Sequence, residues 1–116
     1  MEDTKAIEFF QGVLSKTRAG RIRWQATAED RAFIAAIGGQ FTLSVWQYEY
    51  RDAEMFPFTR HALAVKDQDG RVLTTIASGD TGIVENDIRE LYETARRQAL
   101  RVDDKIDQAL VELSKL

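Results

Sequence analysis

Hydrophobic and polar residues alternate through the middle of this chain with a period of two, and through both ends with a period between three and four. The first pattern builds strands and the second builds helices. Over residues 3–18, Ile7, Phe10 and Leu14 form an apolar stripe that Phe9 and Val13 widen. Asp3 or Thr4 can cap its start and Gly20 can close its end, so a helix is predicted there. Gly12, inside it, costs roughly 1 kcal/mol relative to alanine.

From residue 21 the period drops to two. RIRWQAT sets Ile22, Trp24 and Ala26 against Arg21, Arg23 and Gln25, and a short turn leads to a second strand around Ala32 to Ile37. Gly38-Gly39 is a two-residue hairpin signal. FTLSVWQYEY reads as a third strand, and RDAEMFP as a loop ending near the only proline, Pro57. TRHALAVKD gives a fourth strand, DQDG a tight turn, and RVLTTIAS a fifth strand. Short connections between successive strands imply an antiparallel meander.

Asp87 and Glu90 have capping-box spacing, which predicts a last helix from near residue 88. Ile88, Tyr92, Ala95, Ala99, Val102, Ile106, Ala109, Leu113 and Leu116 then follow in steps of three and four, flanked by Leu91, Leu100 and Leu110. The expected architecture is a single α+β domain over residues 1-116. It has an N-terminal helix, a five-stranded antiparallel meander sheet and a long C-terminal helix, either continuous or broken near 101-104.

That last helix raises a geometric problem. A continuous helix over 87–116 is about 45 Å long, whereas a strand of seven residues spans only about 23 Å. Val102, Ile106, Ala109, Leu113 and Leu116 therefore outrun the sheet. Three arrangements would cover them. The helix can break at RVDDK, with Asp103 or Asp104 capping a segment that folds back. The N-terminal helix can lie alongside, or a second polypeptide can pair with the stripe.

FTLSVWQYEY raises another. Phe41, Leu43 and Val45 form one apolar set, whereas Trp46, Tyr48 and Tyr50 form a second, one residue out of phase. Either a β-bulge near Val45-Trp46 brings both sets onto the core face, or the aromatics line the opposite face of the sheet. Met55 and Phe56 in the following loop either cap one end of the core or form an apolar binding tip.

Composition narrows the chemistry. The 116 residues are 44% hydrophobic and 30% charged, with a net charge of −3, a pI of about 5.2 and no cysteine. Disulfides, thiolate metal sites and a cysteine nucleophile are excluded. The acidic opening MEDTKAIEFF lacks the features of a secretory signal, and the glycines and polar residues of AFIAAIGGQFTLSVWQY argue against a membrane span. A soluble, cytoplasmic protein is expected. The arginines at 18, 21 and 23 and at 96, 97 and 101 are local clusters, and the second is interleaved with carboxylates. Nucleic acid is therefore not the expected partner.

Candidate reactive groups are few. His61, the single histidine, falls in strand phase with Leu63 and Val65 and reads as structural. DQDG at 67–70 lacks the glutamate that a calcium loop needs at its twelfth position, where Ser78 stands. SGDTG at 78–82 precedes a helix but carries no phosphate-gripping lysine. Asp103, Asp104 and Asp107 read as a solvated face or a cap. No catalytic residue, metal or cofactor is assigned.

The expectation is thus a non-enzymatic protein-binding module, of inhibitor, immunity or regulatory-adaptor type. Its partner would be another protein or itself, as a homodimer. The expected contact residues are Trp46, Tyr48, Tyr50, Met55 and Phe56 on the aromatic strand and loop, and Val102, Ile106 and Leu113 on the helix seam. The alternative is a small-ligand-binding domain that uses the aromatic strand face and the SGDTG loop.

Overall fold

The structure, a computed structural model, describes all residues except Met1, Asp52, 80–82 and Val84, with side chains described from Thr4 onward. Helix α1 (Glu2–Arg18) is followed by β1 (Gln25–Ala26), β2 (Ala32–Ile37), β3 (Phe41–Arg51), β4 (Pro57–Lys66) and β5 (Val72–Ala77). Helices α2 (Glu85–Ala99) and α3 (Val102–Ser114) close the chain. The strands form one sheet in the order β1-β2-β3-β4-β5, every neighbour antiparallel. This is the α+β meander that the alternation implied.

One face of the sheet carries the helices. Leu43 and Val45 from β3, Leu63 and Val65 from β4, and Phe33 from β2 point to it. They meet Phe10 and Leu14 of α1 and Ile88, Leu91 and Ala95 of α2 in one buried cluster. At roughly 1.5–3 kcal/mol for each large apolar side chain removed from water, this cluster is the main favourable term in folding.

Several local readings are settled, some of them against expectation. The first strand is only two residues long, although Ile22 and Trp24 are buried as its alternation requires. The Trp24 indole donates to Thr17 Oγ1 at 3.1 Å, which ties this segment to α1 rather than to the ladder of β2. Helix α2 starts at Glu85 instead of near 88. Glu90 is then the sixth helical residue, too far along for a capping box, and Arg18 instead grips its carboxylate with bonds of 2.7 and 2.6 Å, pinning α1 to α2.

No bulge occurs at Val45-Trp46, since β3 pairs in unbroken register with both neighbours. The irregularity lies instead between Val65 and Lys66, opposite β5. Finally, the long helix breaks, but not as a fold-back capped by an aspartate. The residue before α3 is Arg101, in the left-handed region at φ 53° and ψ 47°, with no side-chain cap. Asp103 and Asp104 lie in the first turn and bind Arg97 at 2.6 Å and Arg101 at 2.8 Å.

Candidate functional site

Two parts of the chain reach beyond the two-layer body. The first is α3. None of its residues is buried, whereas α2 buries Ile88, Leu91, Tyr92 and Ala95. The seam read from the sequence is therefore split at Arg101 into a covered half and an exposed half. Ile106, Leu110 and Leu113 keep 48%, 56% and 62% of their surface exposed. At 100° per residue, Val102, Ile106, Ala109, Leu110 and Leu113 fall on an arc about 100° wide, the width of an ordinary core-facing stripe. Aspartates, lysines, Gln108 and Glu112 occupy most of the remainder. Val102, at the root, is half-buried.

The radius of gyration, 16.1 Å, exceeds the roughly 13 Å of a compact chain of this length. Neither a fold-back nor α1 covers the stripe.

The second is the β3–β4 hairpin. Strand β2 stops pairing with β3 at Trp46, and β5 stops pairing with β4 at Ala62. From Tyr48↔Arg60 to Arg51↔Pro57 the two strands pair only with one another. This ribbon extends about 14 Å, at 3.4 Å per residue pair.

The unbroken register settles where the aromatics lie. Trp46, Tyr48 and Tyr50 occupy the face away from the helices, with Ile34, Phe58, Arg60, Ala62 and Ala64 from adjacent strands. Ala62 and Ala64 are buried even so, while Trp46 and Tyr48 are half-buried and Tyr50, Phe58 and Ile34 exposed. The Arg60 guanidinium stands 4.7 Å over the Tyr50 ring and donates to the Ser78 carbonyl at 3.2 Å. Met55 and Phe56 do not cap the core. Both are exposed at the hairpin tip, Met55 at φ 68°, a costly conformation for a non-glycine residue.

Three residue types familiar from hydrolases gather on the helix side of the sheet, without the geometry of a triad. Ser78 Oγ accepts the His61 backbone N–H at 3.1 Å and donates to Glu85 Oε1 at 2.6 Å. The His61 ring is buried between Gln47, 3.4 Å from Nε2, and Glu85, 3.4 Å from Nδ1, against the Tyr92 ring. The serine hydroxyl thus addresses the carboxylate and the His61 main chain instead of the imidazole. Nucleophile activation requires the opposite pairing. The cluster fastens the end of β4 and β5 to the first turn of α2. Burial raises the Tyr92 phenol above its ordinary range, with Glu93 adding to the effect.

Among the described residues, no group of three or more histidine, aspartate or glutamate side chains is placed to hold a metal ion. The DQDG turn is closed by Asp67, whose carboxylate accepts the N–H groups of Asp69 and Arg71 at 2.9 and 3.0 Å. Of the SGDTG stretch only Ser78 and Gly79 lie within the described residues. A groove of about 1040 Å³ runs between α1 and the β5 side of the sheet, lined by Ile7, Phe9, Phe41, Leu73, Ile76 and Ile83. None of Trp46, Tyr48 and Tyr50 borders it, so it is not the pocket expected of a ligand site at the aromatic strand. No helix among the described residues is long and apolar enough to cross a membrane.

Sequence reasoning left the aromatic face as one of two alternatives and the uncovered seam as one of three, and it missed the ribbon that carries the aromatics. The strand lengths show it in the structure, where β3 and β4 have 11 and 10 residues and β2 and β5 have 6 each. No protein-family model matches the chain, and no curated protein or solved structure matches it significantly.

Proposed function

We propose that this chain is a non-enzymatic protein-binding module of the cytoplasm. Its two-layer body holds out two contact elements, the α3 stripe and the aromatic β3–β4 hairpin. It would act by occupying or bridging another polypeptide, as inhibitors, immunity factors and regulatory adaptors do.

One observation carries the reading: an amphipathic 13-residue helix that buries none of its residues in its own chain. A helix of this length is marginal in water without tertiary support. Its exposed aliphatic side chains gain free energy as soon as a complementary surface removes them from water. The hairpin supports the same reading. Tyrosine and tryptophan combine an apolar body with a hydrogen-bonding tip, which suits them to contact surfaces.

The test is site-specific photo-crosslinking in the producing cells. A photoreactive residue at Ile106, Leu113 or Tyr50 should capture protein, whereas one at Asp69, in the β4–β5 turn, should not. The reading fails if adducts from all four positions are equally sparse.

A further inference from the structure

We infer that the occupant of the α3 stripe is α3 of a second copy, paired antiparallel about a two-fold axis near Ala109. The inference rests on the binding-module reading above and names its partner.

The charges beside the stripe are self-complementary, and they fit the antiparallel pair on one edge. Lys105 and Glu112 border the same edge, seven residues apart, with Ala109 nearly midway between them. On an antiparallel copy centred there, Lys105 faces the other copy's Glu112, and the two-fold axis repeats the pair. On the opposite edge Asp103 meets Ser114 and Asp107 meets Leu110.

A parallel pair would bring both folded bodies to the same end of the seam and set Glu112 opposite Leu110 and Ser114, with no lysine to meet it. Antiparallel packing sets the two copies of Asp103 about 17 Å apart along the axis, beyond the Debye length at physiological salt, so their repulsion is largely screened.

Shape agrees with charge. Ala109 is the smallest member of the stripe and lies at the proposed crossing, where two backbones approach most closely. Ile106 and Leu113 flank it on either side and pack across the axis. Glu112, which binds Lys115 of its own helix at 3.0 Å, retains a second oxygen for the partner's lysine. Because α3 is held on a folded body, only its own fraying has to be suppressed on pairing.

The full-length chain should show a concentration-dependent rise in mass from 13.2 kDa towards twice that value in analytical ultracentrifugation. Lys105→Glu should weaken the dimer roughly tenfold, since it replaces two rim attractions by two repulsions. Adding Glu112→Lys to it should restore the affinity, because the pair is only exchanged. Direction is read by oxidation of single-cysteine variants, which the cysteine-free background makes clean. Ala109→Cys should cross-link to its own copy. Leu113→Cys should not, because its two sulfurs lie about 12 Å apart along the axis, beyond disulfide reach.

A chain that stays monomeric at sub-millimolar concentration overturns the inference, as does equal cross-linking through position 113. Failure of the two readings is separable in the Ile106 photo-crosslinking. Adducts to a different protein, with none at twice the chain mass, overturn self-pairing and leave the binding module standing. Absence of any adduct removes both.

Discussion

Replacing Ile106 and Leu113 together by glutamate separates a stripe that serves a partner from one that serves the chain's own core. Both side chains are about half exposed in the single chain, so little apolar surface returns to water when they are lost. Surface substitutions of this kind usually change stability by less than about 0.5 kcal/mol each. Placing two carboxylates in the later turns of α3, near Asp107 and Glu112, adds a few tenths through like charges and the helix dipole. The sites are seven residues apart, so the effects should nearly add. The total is about 1 kcal/mol, or a few degrees in melting temperature for a chain of this size.

Leu91→Ala is the reference. Leu91 is fully buried among the α1, α2 and sheet side chains, and emptying such a site costs about 2–5 kcal/mol. The assay is urea denaturation at a concentration where the parent is monomeric, because a dimer would add a concentration-dependent term. The expected order is parent, then the double glutamate variant close behind, then Leu91→Ala far below, with similar slopes. If the double variant falls as far as Leu91→Ala under those conditions, the stripe is buried within one chain and the argument for an external partner fails.

Other consequences are more local. Thr17→Val should destabilise by about 1–3 kcal/mol, since it leaves the buried Trp24 indole N–H without its acceptor, whereas Thr17→Ser should retain most stability in the same denaturation assay. Arg18 holds the Glu90 carboxyl below its usual range by direct hydrogen bonding. The stability this provides is present above the unfolded carboxylate range, about pH 4, and is lost as pH falls through the lowered folded value. Thermal melts of Arg18→Gln and parent should therefore differ at neutral pH and converge in acid, with a smaller gap in high salt. Burial raises the Tyr92 phenol, so its contribution is complete below about pH 10 and fades as pH rises through the folded value. Tyr92→Phe should flatten that alkaline decline, followed by circular dichroism.

Alternation could not identify β2, since AFIAAI is apolar throughout. Its bounds come from the turn before Ala32 and Gly38-Gly39 after Ile37, and only burial shows Phe33 and Ala35 inward and Ile34 and Ala36 outward. Alternation overextended β1 because the same pattern of Ile22 and Trp24 also arises in a segment that packs against α1 without pairing. The two aromatic phases of β3 were legible as a choice. A bulge and an open face give the same string of letters, and only the register with β2 and β4 tells them apart. The Glu90 carboxylate has the spacing of a capping residue but meets Arg18, which is 72 positions away. Long-range electrostatics of that kind leave no periodic trace.

The seam across α2 and α3 shows where sequence pattern stops being informative. Its step of three and four continues through Arg101 without interruption, yet one half meets the sheet and the other meets solvent. Arg101, left-handed at a non-glycine position, redirects the chain, and its side chain binds Asp104 in the first turn of the new helix. Beyond its backbone hydrogen bonds, α3 is held mainly by the exposed pairs Arg97–Asp103, Arg101–Asp104 and Lys115–Glu112. The two i,i+3 pairs contribute only about 0.2–0.5 kcal/mol each, and a helix of 13 residues is marginal in water without tertiary support. A contact that covered the stripe would therefore also order the helix. Amide exchange through α3 should slow as the chain associates, while exchange in α2, already protected by the core, stays unchanged.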